Sequence, residues 1–190
     1  MKQLIRAAFP VLAVILFAAC NNNSVAAKSE NTTDSMSHEG HDHSHMSDSS
    51  APAAAAVQLK DDKLNAVYQH YVHLTTALIN GDEAEAKIAS NAIETGAAIV
   101  DGGKTLGASA SKITAAKNID AQRTAYADLS NDFISLVKKS GLNSGALYVD
   151  FCPMAMDSKG AYWISPNEEV KNPYFGEKMM TCGKVKETLK

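Results

Sequence analysis

Asp61-Asp-Lys-Leu-Asn-Ala-Val-Tyr-Gln-His-Tyr-Val-His-Leu-Thr-Thr-Ala-Leu-Ile-Asn-Gly81 is the stretch that decides the fold class. Leu64, Val67, Tyr71, Leu74 and Leu78 recur at alternating three- and four-residue steps, one stripe of an amphipathic helix. Asp61 and Asp62 offer carboxylates to the first free backbone N–H groups, and Asn80-Gly81 stops the helix.

The pattern repeats downstream. Asp82 followed by Glu85 resembles a capping box and opens a second helix. Its alanine-rich face (Ala89, Ala92, Ile93, Gly96, Val100) permits close approach by a neighbour, and Asp101-Gly102-Gly103 ends it. A third, weaker helix is predicted over Leu106–Lys117, with Leu106, Ile113 and Ala116 inward. Asn118–Asp120 leads into a fourth carrying Tyr126, Leu129, Phe133, Leu136 and Val137, closed by Lys138, Lys139 and Gly141. Four helices with short links make a mainly α fold, an antiparallel four-helix bundle. After Gly145 the residues turn β-prone over Ala146–Cys152 and Gly160–Ser165, which predicts a small C-terminal β-hairpin and loop cap. Tyr162, Trp163, Tyr174 and Phe175 read as an apolar cap on the bundle. A turn at Asn172–Gly176 is expected to bring Glu177–Cys182 back toward the Cys152 loop.

Residues 1–19 read as a lipoprotein signal peptide: Lys2 and Arg6 precede an apolar run from Ala7 to Ala19 that is too short to span a bilayer. Leu16-Phe17-Ala18-Ala19-Cys20 resembles the bacterial lipobox, with Phe17 where an aliphatic residue is usual, so Cys20 is the expected lipidation site. More than one acyl chain there would hold the protein firmly to a membrane. The resemblance, with no aspartate after Cys20, implies the periplasmic face of the outer membrane rather than the inner one. Loss of this segment, which has two cations and no acid, deepens the formal charge of −3 by two. An acidic globule is a poor nucleic-acid binder, so no nucleic-acid partner is expected.

Residues 20–56 are rich in Asn, Ser, Thr, Asp and Ala, lack aromatics and read as a disordered tether. It carries Met36-Ser-His-Glu-Gly-His-Asp-His-Ser-His-Met46, which gathers His38, His41, His43 and His45. Imidazoles this close can converge on Zn(II), Cu(II) or Ni(II), and the bland alternative is a solvated spacer or a pH-responsive tail. Residues 57–190 are expected to form one domain.

The domain's end concentrates sulfur: Cys152, Met154, Met156, Met179, Met180 and Cys182 fall within thirty-one residues. Soft donors prefer Cu(I) or a similar ion, with silver or zinc as alternatives. The competing reading is a Cys152–Cys182 disulfide with methionines as core filler. His70 and His73, three apart on one flank of the first helix, are secondary metal candidates, weighed against an ordinary pair of boundary histidines.

Four segments together, Tyr71-Val-His-Leu-Thr-Thr-Ala-Leu, Ala121-Gln-Arg-Thr-Ala-Tyr-Ala-Asp-Leu-Ser, Tyr148-Val-Asp-Phe-Cys-Pro-Met-Ala and Asn172-Pro-Tyr-Phe-Gly-Glu-Lys-Met-Met-Thr-Cys-Gly, carry a resemblance from about Leu59 to Leu189. The chain resembles a bacterial domain-of-unknown-function family of periplasmic lipoproteins, also found attached to the adaptor subunits of copper and silver efflux systems. That resemblance implies Cys152, Met154, Met179 and Cys182 as metal ligands and a heavy-metal efflux adaptor as partner, with Met156 and Met180 added by proximity. The expected function is periplasmic heavy-metal binding, with sequestration or hand-over to efflux. The alternative is a non-catalytic structural or interaction module closed by the disulfide. With no CxxC pair, nucleophile elbow or phosphate-cradling glycine loop, an enzyme is not expected.

Overall fold

The computed structural model describes residues 56–190. Cys20 and the tether histidines His38, His41, His43 and His45 lie outside the described residues. Helix α1 spans Asp62–Asn80, and the Asp61 carboxylate accepts the Leu64 N–H at 2.9 Å. Helix α2, Glu83–Ala97, is capped by Asp82, which accepts from the N–H groups of Ala84 and Glu85 at 3.1 and 3.0 Å. Helix α3 covers Lys104–Thr114, and α4 covers Ile119–Ser140 behind Asn118, which accepts the Ala121 N–H at 2.9 Å. The third helix thus starts and stops before the expected Leu106–Lys117. Asn118 spends its side chain capping α4 from an extended backbone, so the chain must leave α3 several residues earlier.

The helices pack in sequence order, α1 on α2, α2 on α3 and α3 on α4, as short links require. Gly96 of α2 sets the closest approach. A Cβ there would lie 2.8 Å from the Val67 Cγ2 of α1, so a side chain would push the two helices apart. The predicted stripe residues Leu64, Val67, Tyr71, Leu74 and Leu78 are all buried, as are Tyr126, Leu129, Phe133 and Val137 on α4.

Two small sheets complete the domain. Strands β1 (Gln58–Leu59) and β2 (Leu142–Ser144) pair antiparallel, tying the start of α1 to the end of α4. The expected hairpin is present as β3 (Leu147–Cys152) and β4 (Ala161–Ser165), with Asp150 opposite Trp163 and Cys152 opposite Ala161. A further strand, β5 (Lys184–Leu189), pairs with the free edge of β3 and gives the order β4-β3-β5. No hydrophobic alternation announced β5, because it is an edge strand on which only Val185 and Leu189 are half-buried.

Buried hydroxyls join sheet to bundle. The Tyr71 hydroxyl of α1 accepts the Ile164 N–H of β4 at 3.0 Å and the Tyr126 hydroxyl of α4 at 2.8 Å, and it lies 2.7 Å from the Ser130 hydroxyl. Tyr126 in turn lies 2.7 Å from the Thr75 hydroxyl. The rings stack as well, Tyr71 on Phe133 at 4.2 Å between centroids. Tyr71→Phe keeps the ring but leaves the Ile164 N–H without its acceptor. It is expected to cost about 1–3 kcal/mol in urea unfolding while helix content by circular dichroism is retained; an unchanged midpoint would contradict this role.

Candidate functional site

The two distant cysteines meet because one ends the central strand and the other follows a pinned turn. Cys152 ends the central strand β3 and is fully buried, sharing its sheet face with Asp150. Cys182 is placed by Asn172, itself fully buried. The Asn172 Nδ2 donates to the Cys182 carbonyl at 2.6 Å, its N–H to the Met180 carbonyl at 2.8 Å, and its Oδ1 accepts the Tyr174 N–H at 2.8 Å. From that turn the chain enters β5, whose Lys184 pairs with Phe151, and this register carries Cys182 alongside Cys152. The sulfurs stand 3.0 Å apart and both thiols are free.

That separation lies between two chemical end states. A disulfide needs about 2.05 Å, whereas two thiolates on one tetrahedral ion at about 2.3 Å each stand about 3.8 Å apart. The pair must therefore close by about 1 Å to oxidise or open by about 0.8 Å to share an ion. The Cys182 thiol is pushed up, first by its hydrogen bond with Cys152 and then by burial, which favours its protonated form. An ion that binds the Cys182 sulfur must displace that proton.

The other sulfur donors are distributed differently. Met154, 53 % exposed, and Met156, half-buried, line one cavity with Arg123, Tyr174 and Phe175, and neither cysteine lines it. Tyr174 connects the two places: it lines the cavity, and Cys152 is among the groups that hold its phenol well up, after burial as the main cause. Met179 ends a 3-10 turn over Gly176–Met179, Met180 follows it, and both are half-buried. His73 Nε2 lies 2.9 Å from the Glu85 carboxylate, linking α1 to α2, while His70 is exposed. Among the described residues no group of three or more His, Cys, Asp or Glu side chains is gathered to hold a metal. No helix among them is long and apolar enough to cross a membrane.

Sequence reading missed Asp150. Both its oxygens are buried without a hydrogen-bond partner, as is the indole N–H of Trp163 directly across the ladder. Burial pushes its carboxyl up to about 7. The one available signal was an acid inside the apolar run Leu147-Tyr-Val-Asp-Phe-Cys152.

The folded chain keeps a proton on Asp150 that the unfolded chain has already released in the window from about pH 4 to 7. Stability supplied by the neutral acid is therefore present at low pH and lost as pH rises toward 7. Asp150→Asn should flatten that part of the stability–pH curve in urea titrations, and a parallel curve would contradict the burial argument.

Residues 67–145 match the model of the family described as Protein of unknown function (DUF3347). The match runs from within α1 to just past β2, so the helical segment carries it, while the segments around Cys152 and Cys182 lie beyond it. No curated protein and no solved structure matches the chain.

Proposed function

We propose that this chain is a lipid-anchored periplasmic protein that binds a soft metal ion, Cu(I) before silver or zinc, and sequesters it or passes it to a heavy-metal efflux system. The observation that carries the reading is the meeting of two free thiols, thirty positions apart in sequence, at 3.0 Å on the end of the central strand. Thiolates select soft ions, and a pair held by a strand end and a pinned turn, Cys152 buried and Cys182 half-buried, needs little ordering when the ion arrives. Met154, two residues beyond Cys152, supplies a soft thioether donor that needs no deprotonation; Met156, Met179 and Met180 are auxiliary donors. The tether histidines capture ions loosely and the thiols hold them. The role is binding and transfer, with no catalytic residue assigned.

The same separation favours a second reading, the Cys152–Cys182 disulfide of a structural or interaction module. Closing a loop of about 30 residues would contribute on the order of 3 kcal/mol. A thiol titration of freshly prepared, metal-free protein separates the two. Two reactive thiols that vanish on Cu(I) addition support ligation, and none before addition supports the staple.

Cys152→Ser with Cys182→Ser is expected to weaken Cu(I) retention against a chromogenic chelator by about a hundredfold or more, and unchanged retention overturns the metal reading. Because the Cys182 thiol, held up by its hydrogen bond with Cys152 and by burial, must lose its proton to ligate, the wild-type affinity should rise with pH. A pH-independent affinity would remove the thiols from the site.

A further inference from the structure

The cavity beside the Met154–Met156 turn has a chemistry that the thiol pair does not use. Its volume is about 560 Å³, the size of a small-molecule site. Its floor is Arg123, only 8 % exposed, whose Nε donates to the Pro173 carbonyl at 3.0 Å and Nη2 to the Leu78 carbonyl at 2.8 Å. Those carbonyls hold the guanidinium still but bring no full negative charge. The one carboxylate beside it, Asp120, stands 3.7 Å from Nη1 and is 78 % exposed. Burial lowers the guanidinium's pKa, the mark of a cation whose desolvation is incompletely offset.

Two more cations face the same space. Lys159 and Lys178 line it, both exposed, and neither has a carboxylate within 4.0 Å among the described residues. Asp157 also lines the cavity, leaving cations in excess. The rest of the lining is mixed, with Thr124 and Tyr174 beside an apolar patch of Met154, Ala155, Met156 and Phe175.

The wall is also strained. Met156, Asp157 and Ser158 take positive φ in succession, 54°, 55° and 65°, a conformation that side-chain-bearing residues avoid and that persists where surroundings enforce it, often at ligand sites. Gly176 (φ 56°) lets the backbone close on the guanidinium, since a Cβ there would lie 2.5 Å from the Arg123 Nη2.

We propose that this cavity binds a small amphipathic anion: a carboxylate or phosphate head held by Arg123, Lys159 and Lys178, with a short apolar tail against Met156 and Phe175. The cavity shares Met154 and Met156 with the proposed metal donors but neither cysteine, and the anion-binding Arg123, Lys159 and Lys178 do not depend on the metal reading.

Isothermal titration of the folded protein with octanoate, octyl phosphate, acetate and octylamine tests it. One or both octyl anions should bind saturably at one per chain, and the tighter of the two identifies the head. Acetate should bind about tenfold more weakly or less, and octylamine should give no saturable heat. Lys159→Glu with Lys178→Glu, both on exposed side chains, should lower the affinity about tenfold or more while the thermal melt is unchanged. Should that variant fold poorly, the wild-type affinity must still fall as sodium chloride is raised. Absence of saturable binding by either octyl anion, equal binding of octylamine, or an affinity indifferent to charge reversal or to salt overturns the proposal.

Discussion

The hydroxyl of Tyr71 is the point on which the geometry of the C-terminal half depends. It accepts a backbone N–H from β4 inside a hydrocarbon core, where that group has no water to turn to. A single such bond adds only about 1 kcal/mol net, but leaving the N–H unmade would cost more, so it acts chiefly as a constraint on position. With Ile164 fixed against α1 and α4, the register of β4 on β3 follows, and Cys152 must lie at the buried end of the central strand. Asn172 does the matching work for Cys182 through three backbone partners. The sulfurs meet because two polar side chains, each fully buried, have nowhere else to satisfy their neighbours.

The helical bundle was legible in the sequence because its information is local. Asp61, Asp82 and Asn118 announce three helix starts, and the stripe through Leu64, Val67, Tyr71, Leu74 and Leu78 coincides with buried positions. The hairpin and the return of the chain to the Cys152 loop could also be read, from β-prone runs separated by turn residues. What escaped reading depends on long-range pairing. β5 exposes four of its six side chains and carries no alternation, and β1 is too short to have a pattern. Arg123 and Gln122 fall outside the apolar stripe of α4 and are buried because the 173–176 turn and the start of α2 cover them. The hydroxyl network could not be foreseen either, since tyrosines at stripe positions are equally consistent with rings whose polar ends reach water.

The candidate site was partly legible. The sulfur-rich segment pointed to convergence, and Cys152 and Cys182 do converge. Sequence proximity did not resolve which thioethers accompany them: Met154 and Met156 open toward a cavity floored by a guanidinium, while Met179 and Met180 follow a separate turn. The C-terminal segment thus carries a soft thiol pair and closes over Arg123 of α4 to form a cationic cavity, with Tyr174 adjoining both. The family match covers the helices, Arg123 among them, and the two cysteines lie on the part that follows.

The proposal that Cys152 and Cys182 share a soft ion is tested most directly by X-ray absorption at the copper edge on protein loaded anaerobically with one equivalent of Cu(I). Two thiolate sulfurs are expected around copper in the wild type, and their loss when both cysteines are replaced by serine. A shell of nitrogen and oxygen alone, or a sulfur shell that survives the double replacement, would contradict it.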